Sequence, residues 1–254
     1  MSECDLDKLH DLHDEFSFVA RSAMSDRLQT VFLRGRPFGG LALLIRKSLF
    51  AKIKLVGVDS KCRCLTVIIT LHNGVKLLVT NVYFPCSVSG MEYESAVLDC
   101  IGFIDNALVE HKYDKVILLS DFNFECKEQC SGYRILRNLF LEYNLQCCEE
   151  CADSEITYTY FQDTLHRFFV IDHMFVDNSM CCNIIMYCIT DSGVNFSDHL
   201  PVSCVIAVEN HARSDSTAKC MFDKACSKAK CDVLRWDKGD LELYYSCTVN
   251  GCKI

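Results

Sequence analysis

No apolar run in this 254-residue sequence reaches the length of a membrane span, because Lys and Arg interrupt the longest ones. Met1-Ser2-Glu3-Cys4-Asp5 is acidic and lacks the basic-then-apolar layout of a secretory signal. No GxGxxG or Walker-type loop occurs, so no sequence pattern points to dinucleotide or P-loop nucleotide binding. Charged residues make up only 24% of the chain and hydrophobic ones 50%, a balance that excludes a largely disordered protein. The expectation is a globular, nuclear or cytoplasmic chain with no membrane contact and no obligate protein partner in evidence. Its length suits one large α/β domain or two small ones.

Cysteine is abundant instead. The 19 cysteines are odd in number and scattered through apparent core strands, which favours reduced, buried thiols over a disulfide framework. Cys147-Cys148-x-x-Cys151 is one CxxC, with Cys220, Cys226 and Cys231 far downstream. A second close pair, which a structural zinc site usually needs, is missing.

The net charge of −8 argues mildly against nucleic acid, but charge is unevenly placed. Acids crowd the start (Glu3, Asp5, Asp7, Asp11, Asp14, Glu15), whereas Arg27, Arg34, Arg36, Arg46, Lys47, Lys52, Lys54, Lys61 and Arg63 face only Asp59. Such a block can contact phosphates on an acidic protein. It can equally be a solvated strand edge guarded by Lys and Arg.

Leu6, Leu9 and Leu12 form a helical stripe over 5–13, followed by a strand-like Phe16–Ala20. A turn-rich Gly35–Gly40 opens onto a strand at Leu41–Ile45. Cys64–Leu71 and Val75–Tyr83 flank His72-Asn73-Gly74, a hairpin signal. Met91–His111 reads as an amphipathic helix burying Ala96, Leu98, Ile101, Phe103, Ile104 and Leu108. A strand at Val116–Leu119, a helix at about 133–143, and strands at Thr157–Phe161, Phe168–Val176, Asn183–Ile189 and Pro201–Val208 follow. Residues 1–208 form the expected domain; 209–254 read as a polar linker and tail containing Trp236-Asp237-Lys238 and Tyr244-Tyr245.

Chemistry concentrates at strand ends. Ser120-Asp121-Phe122-Asn123 closes one apolar run and Ser197-Asp198-His199-Leu200-Pro201 opens another. Carboxylate, carboxamide and imidazole so placed can converge over a sheet rim where substrate and metal can reach them. Each has a plainer reading: Asp121 as an N-cap, Asn123 as a turn former, Tyr83 as a strand aromatic, His199 and His173 as structural histidines, Glu125 as a solvated turn.

Gly39-Gly40-Leu41-Ala42, Asn81-Val82-Tyr83-Phe84-Pro85, Ser120-Asp121-Phe122-Asn123, Thr157-Tyr158, Ile171-Asp172-His173 and Ser197-Asp198-His199-Leu200-Pro201 stand in order. That series resembles the endonuclease/exonuclease/phosphatase superfamily, specifically the apurinic-endonuclease-like domain of non-LTR (LINE-type) retrotransposons. The tail also resembles the segment before a reverse transcriptase, although no YxDD motif follows. The resemblance implies an α/β (α+β) fold: a four-layered sandwich of two packed mixed sheets flanked by helices. It implies a Mg²⁺- (or Mn²⁺-) dependent phosphodiester hydrolase that nicks DNA.

Carried over by residue, Asp121 would orient or deprotonate the attacking water. Asn123 would bond the phosphate, and His199, oriented by Asp172, would stand at it. Tyr83 would donate its hydroxyl, and Asp198 together with Asp121 would lie at the metal. Arg34, Arg36, Arg46 and Lys47 are the candidate DNA contacts.

The pattern departs from the family in three places. The family's first strands, carrying an Asn and a metal-ligating Glu, are expected to be missing before residue 1, and Glu3 is a poor substitute. Cys86 stands where many relatives have Asn, and Phe168-Phe169 precede Val170-Ile171-Asp172 where a small Ser is usual. Truncation would weaken metal affinity, which keeps a non-catalytic nucleic-acid-binding remnant open as an alternative. A phosphatase or RNA deadenylase using the same core chemistry is another.

Overall fold

The computed structural model describes residues 14–23, 39–86, 91–127, 129–151, 157–191 and 197–208. The expected helix at 5–13, Glu3, Arg34, Arg36 and the tail after 208 lie outside these residues. Strands β1 (Phe16–Arg21), β2 (Leu41–Arg46), β3 (Lys52–Val58), β4 (Cys64–Thr70) and β5 (Lys76–Tyr83) come first. Helix α1 (Met91–Glu110), β6 (Lys115–Asp121), α2 (Ser131–Glu142) and β7 (Leu145–Cys147) follow, with a 3₁₀ turn at Cys148–Cys151. Then come β8 (Tyr160–Gln162), β9 (Arg167–Phe169), β10 (Asp172–Asp177), the single turn α3 (Asn178–Cys181), β11 (Ile184–Ile189) and β12 (Val202–Ile206).

The α/β class read from the sequence holds. The centre is a six-stranded mixed sheet in the order β3-β4-β5-β6-β10-β7. Its pairs are antiparallel except β5 with β6, which run parallel, joined by α1 as the crossover. The Asn-Gly signal is borne out: Asn73 Oδ1 accepts the Val75 N–H at 3.0 Å and Gly74 takes φ 86°, closing the β4–β5 hairpin.

Side-chain alternation assigns the faces. Cys64, Ile68, Leu78, Val82, Val116 and Leu118 point to α1 and α2, where Phe122, Phe140 and Phe175 complete the main core. Val67, Leu77 and Val79 point the other way, under the β1–β2 ribbon through Val19 and Leu43. Val176 on the same face lies under β11–β12 with Tyr187, Ile189 and Leu200. The second sheet of the expected sandwich is thus two separate ribbons among the described residues, since β1–β2 and β11–β12 share no ladder. Beyond them the described residues place no helical layer.

Three local expectations need correction. Phe168–Val176 is two strands: β9 pairs with β8, while β10 pairs with β6, and the chain changes partner at Val170-Ile171. The sequence reading assigns no strand within the basic block; β3 lies there as the sheet's edge, with Lys52 and Lys54 exposed, in line with the guarded-edge reading of that block. On α1, Leu98 is 54% exposed, whereas Val97 and Cys100 are buried at 0% and 1%. The stripe is therefore Tyr93, Val97, Cys100, Ile104 and Leu108, spaced by three and four residues. Val97→Ala is expected to destabilise the fold by about 1–3 kcal/mol and Leu98→Ala by less than about 0.5 kcal/mol, measured by urea denaturation. The reverse order would mean that α1 sits in another register.

Candidate functional site

Ladder register builds the site. Tyr83 pairs with Asp121 across the parallel β5–β6 pair, and Asp121 pairs with Asp172 across β6–β10. Three chemically capable residues thus stand in one row at the sheet rim, on the face away from α1 and α2. Backbone bonds lock the row from beyond the strands: Phe84 N–H donates to Asp121 C=O at 2.9 Å, and Phe122 N–H to Ile171 C=O at 2.7 Å. Phe84 and Phe122, both fully buried with ring centroids 5.1 Å apart, anchor the two loops in the core below.

His199 arrives from another segment. Phe161 N–H donates to Asp198 C=O at 3.0 Å and Leu200 N–H to Thr159 C=O at 2.6 Å, so residues 198–200 lie along the start of β8. Thr159, fully buried, also accepts the N–H groups of Ile171 and Asp172 on its Oγ1, each at 3.0 Å. One side chain therefore ties the Asp172 backbone to the strand that carries His199. The sequence reading named Thr157-Tyr158 and missed Thr159, because a buried hydroxyl leaves no periodic signal. The Tyr160 ring, with its centroid 4.8 Å from that of His199, was missed as well.

The imidazole Nδ1 of His199 stands 2.8 Å from Asp172 Oδ2. As the donor it fixes the tautomer and leaves Nε2 without a partner among the described residues. Burial pulls the His199 pKa down, but the hydrogen bond and charge of Asp172, with Asp121 and Asp198 behind it, outweigh burial and raise it above the ordinary value. Asp121 is pushed up to about 6, chiefly by burial and then by the Asp172 charge; the Asn123 N–H and the two neighbouring histidines, His199 and His173, oppose this.

Asn123 adopts left-handed φ 55°, and its N–H donates to Asp121 Oδ1 at 3.0 Å, so Asp121-Phe122-Asn123 is an Asx turn. The turn-former reading and the functional one thus coexist. The Asn123 amide donates to Phe84 C=O at 2.8 Å and accepts the Cys86 thiol at 3.2 Å, while Cys86 Sγ lies 3.8 Å from the Tyr83 hydroxyl. Cys86 thus bridges Tyr83 and Asn123.

Asp121, Asp172 and His199 offer ligand atoms within 4.8 Å of one another. Asp198 is exposed and outside that group, close enough to act through its charge on His199. Arg46 and Lys47 are not brought to the row. They stand at the far end of β2 from Ala42, whose carbonyl accepts the Asn81 amide. Arg46 pairs with Glu15 at 3.6 Å and covers the Phe16 ring, and Lys47 is exposed.

No protein-family profile matches the chain, and no curated protein sequence does either. Solved structures do. An AP endonuclease of Leishmania major superposes with TM-score 0.61 at 14% identity, covering 82% of this chain and 75% of that one. The 3′ phosphatase NExo from Neisseria, bound to product DNA hairpin, gives 0.55 at 16%, covering 81% and 95%. The endonuclease domain of TRAS1, a telomere-specific non-LTR retrotransposon, gives 0.53 at 14%, covering 76% and 81%. The fold is that of endonuclease/exonuclease/phosphatase proteins.

Within this fold the chain gathers a hard, oxygen-rich donor set at the rim. Two neighbouring carboxylates, one of them pushed up to about 6 chiefly by burial and then by the charge of the other, suit a hydrated divalent cation, which would relieve their repulsion. Without the cation, a raised Asp121 pKa means stability that is full below the ordinary carboxylate value and lost as pH rises through about 6. In EDTA near neutral pH, Asp121→Asn is accordingly expected to stabilise the fold by on the order of 1–2 kcal/mol after solvent screening. The gain should disappear in melts at acidic pH. A variant no more stable than the parent near neutral pH would show that Asp121 carries no such strain.

Proposed function

We propose that this chain is a divalent-metal-dependent phosphodiester hydrolase acting on DNA, of the nicking type found in non-LTR retrotransposons. The observation that carries the reading is the Asp121, Asp172 and His199 cluster, with His199 Nδ1 held at 2.8 Å by Asp172. Asp121, with Asp198 through intervening water, would hold Mg²⁺ or Mn²⁺. When bound, the ion offsets charge on the phosphoryl oxygens.

The remaining steps belong to the chain. Asp121 orients water and takes its proton as oxygen bonds to phosphorus. Asp172 holds His199 Nδ1, so Nε2 of the protonated ring donates to a non-bridging phosphoryl oxygen as charge develops there. The opposite P–O bond breaks, and the Tyr83 hydroxyl, 37% exposed at the end of the same row, donates to the departing oxygen. The Asn123 amide, held by Phe84 C=O, lies beside the Tyr83 hydroxyl and would bond a phosphate oxygen there.

Phosphatase chemistry on the same residues is the second reading, and the NExo likeness favours it. Supercoiled plasmid and a 3′-phosphorylated oligonucleotide, assayed side by side, separate the two. Mg²⁺-dependent nicking is expected, abolished by EDTA and lowered roughly 10²–10⁴-fold by His199→Ala or Asp121→Asn. Phosphate release without nicking would select the phosphatase. Nicking indifferent to both substitutions would remove the cluster from the mechanism.

A further inference from the structure

The alternation that sends Asp172 to the rim sends His173 to the opposite face. There His173 is 4% exposed and packs against the rings of Phe122 and Phe175. Its Nε2 stands 3.1 Å from Val170 C=O and must donate to it, since a carbonyl only accepts. In the neutral ring this leaves a bare lone pair on Nδ1, buried and without a hydrogen-bond partner. What Nδ1 faces is the Glu149 carboxylate, at 3.6 Å. Lone pair against carboxylate is repulsive, and the separation is too long for a hydrogen bond.

It is, however, the spacing of two ligands on one ion. With bonds of ~2.0–2.2 Å at tetrahedral angles, nitrogen and oxygen ligands of zinc stand about 3.4 Å apart. Cys147 pairs with Phe175 on β10, two residues from His173 on the same face, and its sulfur joins the group: Cys147, Glu149 and His173 place ligand atoms within 4.8 Å of one another. An imidazole that gives its other N–H to a backbone carbonyl has the orientation that metal-binding histidines use.

We propose that Cys147, Glu149 and His173 form a binding site for a borderline-soft divalent ion, zinc by its donors. It lies on the helix side of the sheet, behind the candidate catalytic row. Sulfur, nitrogen and one carboxylate select zinc over magnesium.

The sequence spacing hid this site, because its ligands come from β7, its following turn and β10.

The test uses the full chain, stripped with a chelator and titrated with Co²⁺ and then Zn²⁺. One equivalent of Co²⁺ should give a thiolate charge-transfer band with tetrahedral d–d absorption, and Zn²⁺ should displace it and raise the melting temperature. Cys147→Ser and His173→Gln should abolish the band, while Asp121→Asn leaves it intact. If those buried variants fail to fold, Glu149→Gln decides, since its side chain is 36% exposed; affinity should fall at least tenfold. A band that survives Cys147→Ser, or an unchanged affinity in Glu149→Gln, overturns the proposal. So does a metal-free protein whose His173 carries protons on both nitrogens, the charged ring then pairing with Glu149 by itself.

Discussion

The pairing of β5, β6 and β10 in a single register is the constraint on which the rest depends. It sets Tyr83, Asp121 and Asp172 in one row on one face. A slip of one residue would turn all three carriers of chemistry into the helical core and expose Val82 and Ser120 in their place. Packing forbids that slip. Val82, Leu118 and Phe175 are buried to within a few per cent under α1 and α2, and Phe84 and Phe122 lock the loops that follow β5 and β6. Precision at the rim is thus enforced from the hydrophobic side of the sheet, where apolar burial holds the strands.

The same alternation gives the molecule two acid–imidazole pairs on opposite faces. Asp172 and His199 are partly exposed and coupled by a good hydrogen bond, which suits reversible proton chemistry. In the other pair His173 is buried and committed to a backbone carbonyl, while Glu149 reaches it from a more exposed position, which suits a permanent ligand. Asp172 and His173 are adjacent in the chain, so any ion held by His173 would stiffen the strand that aims Asp172. Thr159 stiffens it from the other side by accepting the Ile171 and Asp172 N–H groups.

Strand-end chemistry was legible in the sequence because each motif residue follows or precedes an apolar run. Asp121 after Val116–Leu119 and His199 before Val202–Ile206 were therefore placed at sheet rims before any coordinates. The Asn-Gly turn was legible for a local reason, the positive φ that only a few residues tolerate. What depended on tertiary partners was not. β3 carries alternating lysines that composition reads equally as a nucleic-acid patch or a guarded strand edge, and the split at Val170-Ile171 follows from a change of ladder partner. The burial of Val97 rather than Leu98 follows from which stripe meets the sheet. Arg46 read as a phosphate contact, yet in the fold it pairs with Glu15 and caps Phe16. His173 read as structural because the residues around it are apolar; only the approach of Cys147 and Glu149 from other strands gives it a further use.

The most direct measurement is an NMR pH titration of the His199 imidazole nitrogens in the parent protein and in Asp172→Asn. Asp172 should hold the proton on Nδ1 and keep the pKa above the ordinary histidine value; the substitution should lower it and loosen the tautomer preference. Identical titration curves in the two proteins would contradict the coupling of His199 to the carboxylate row, and with it the proposed hydrolytic site.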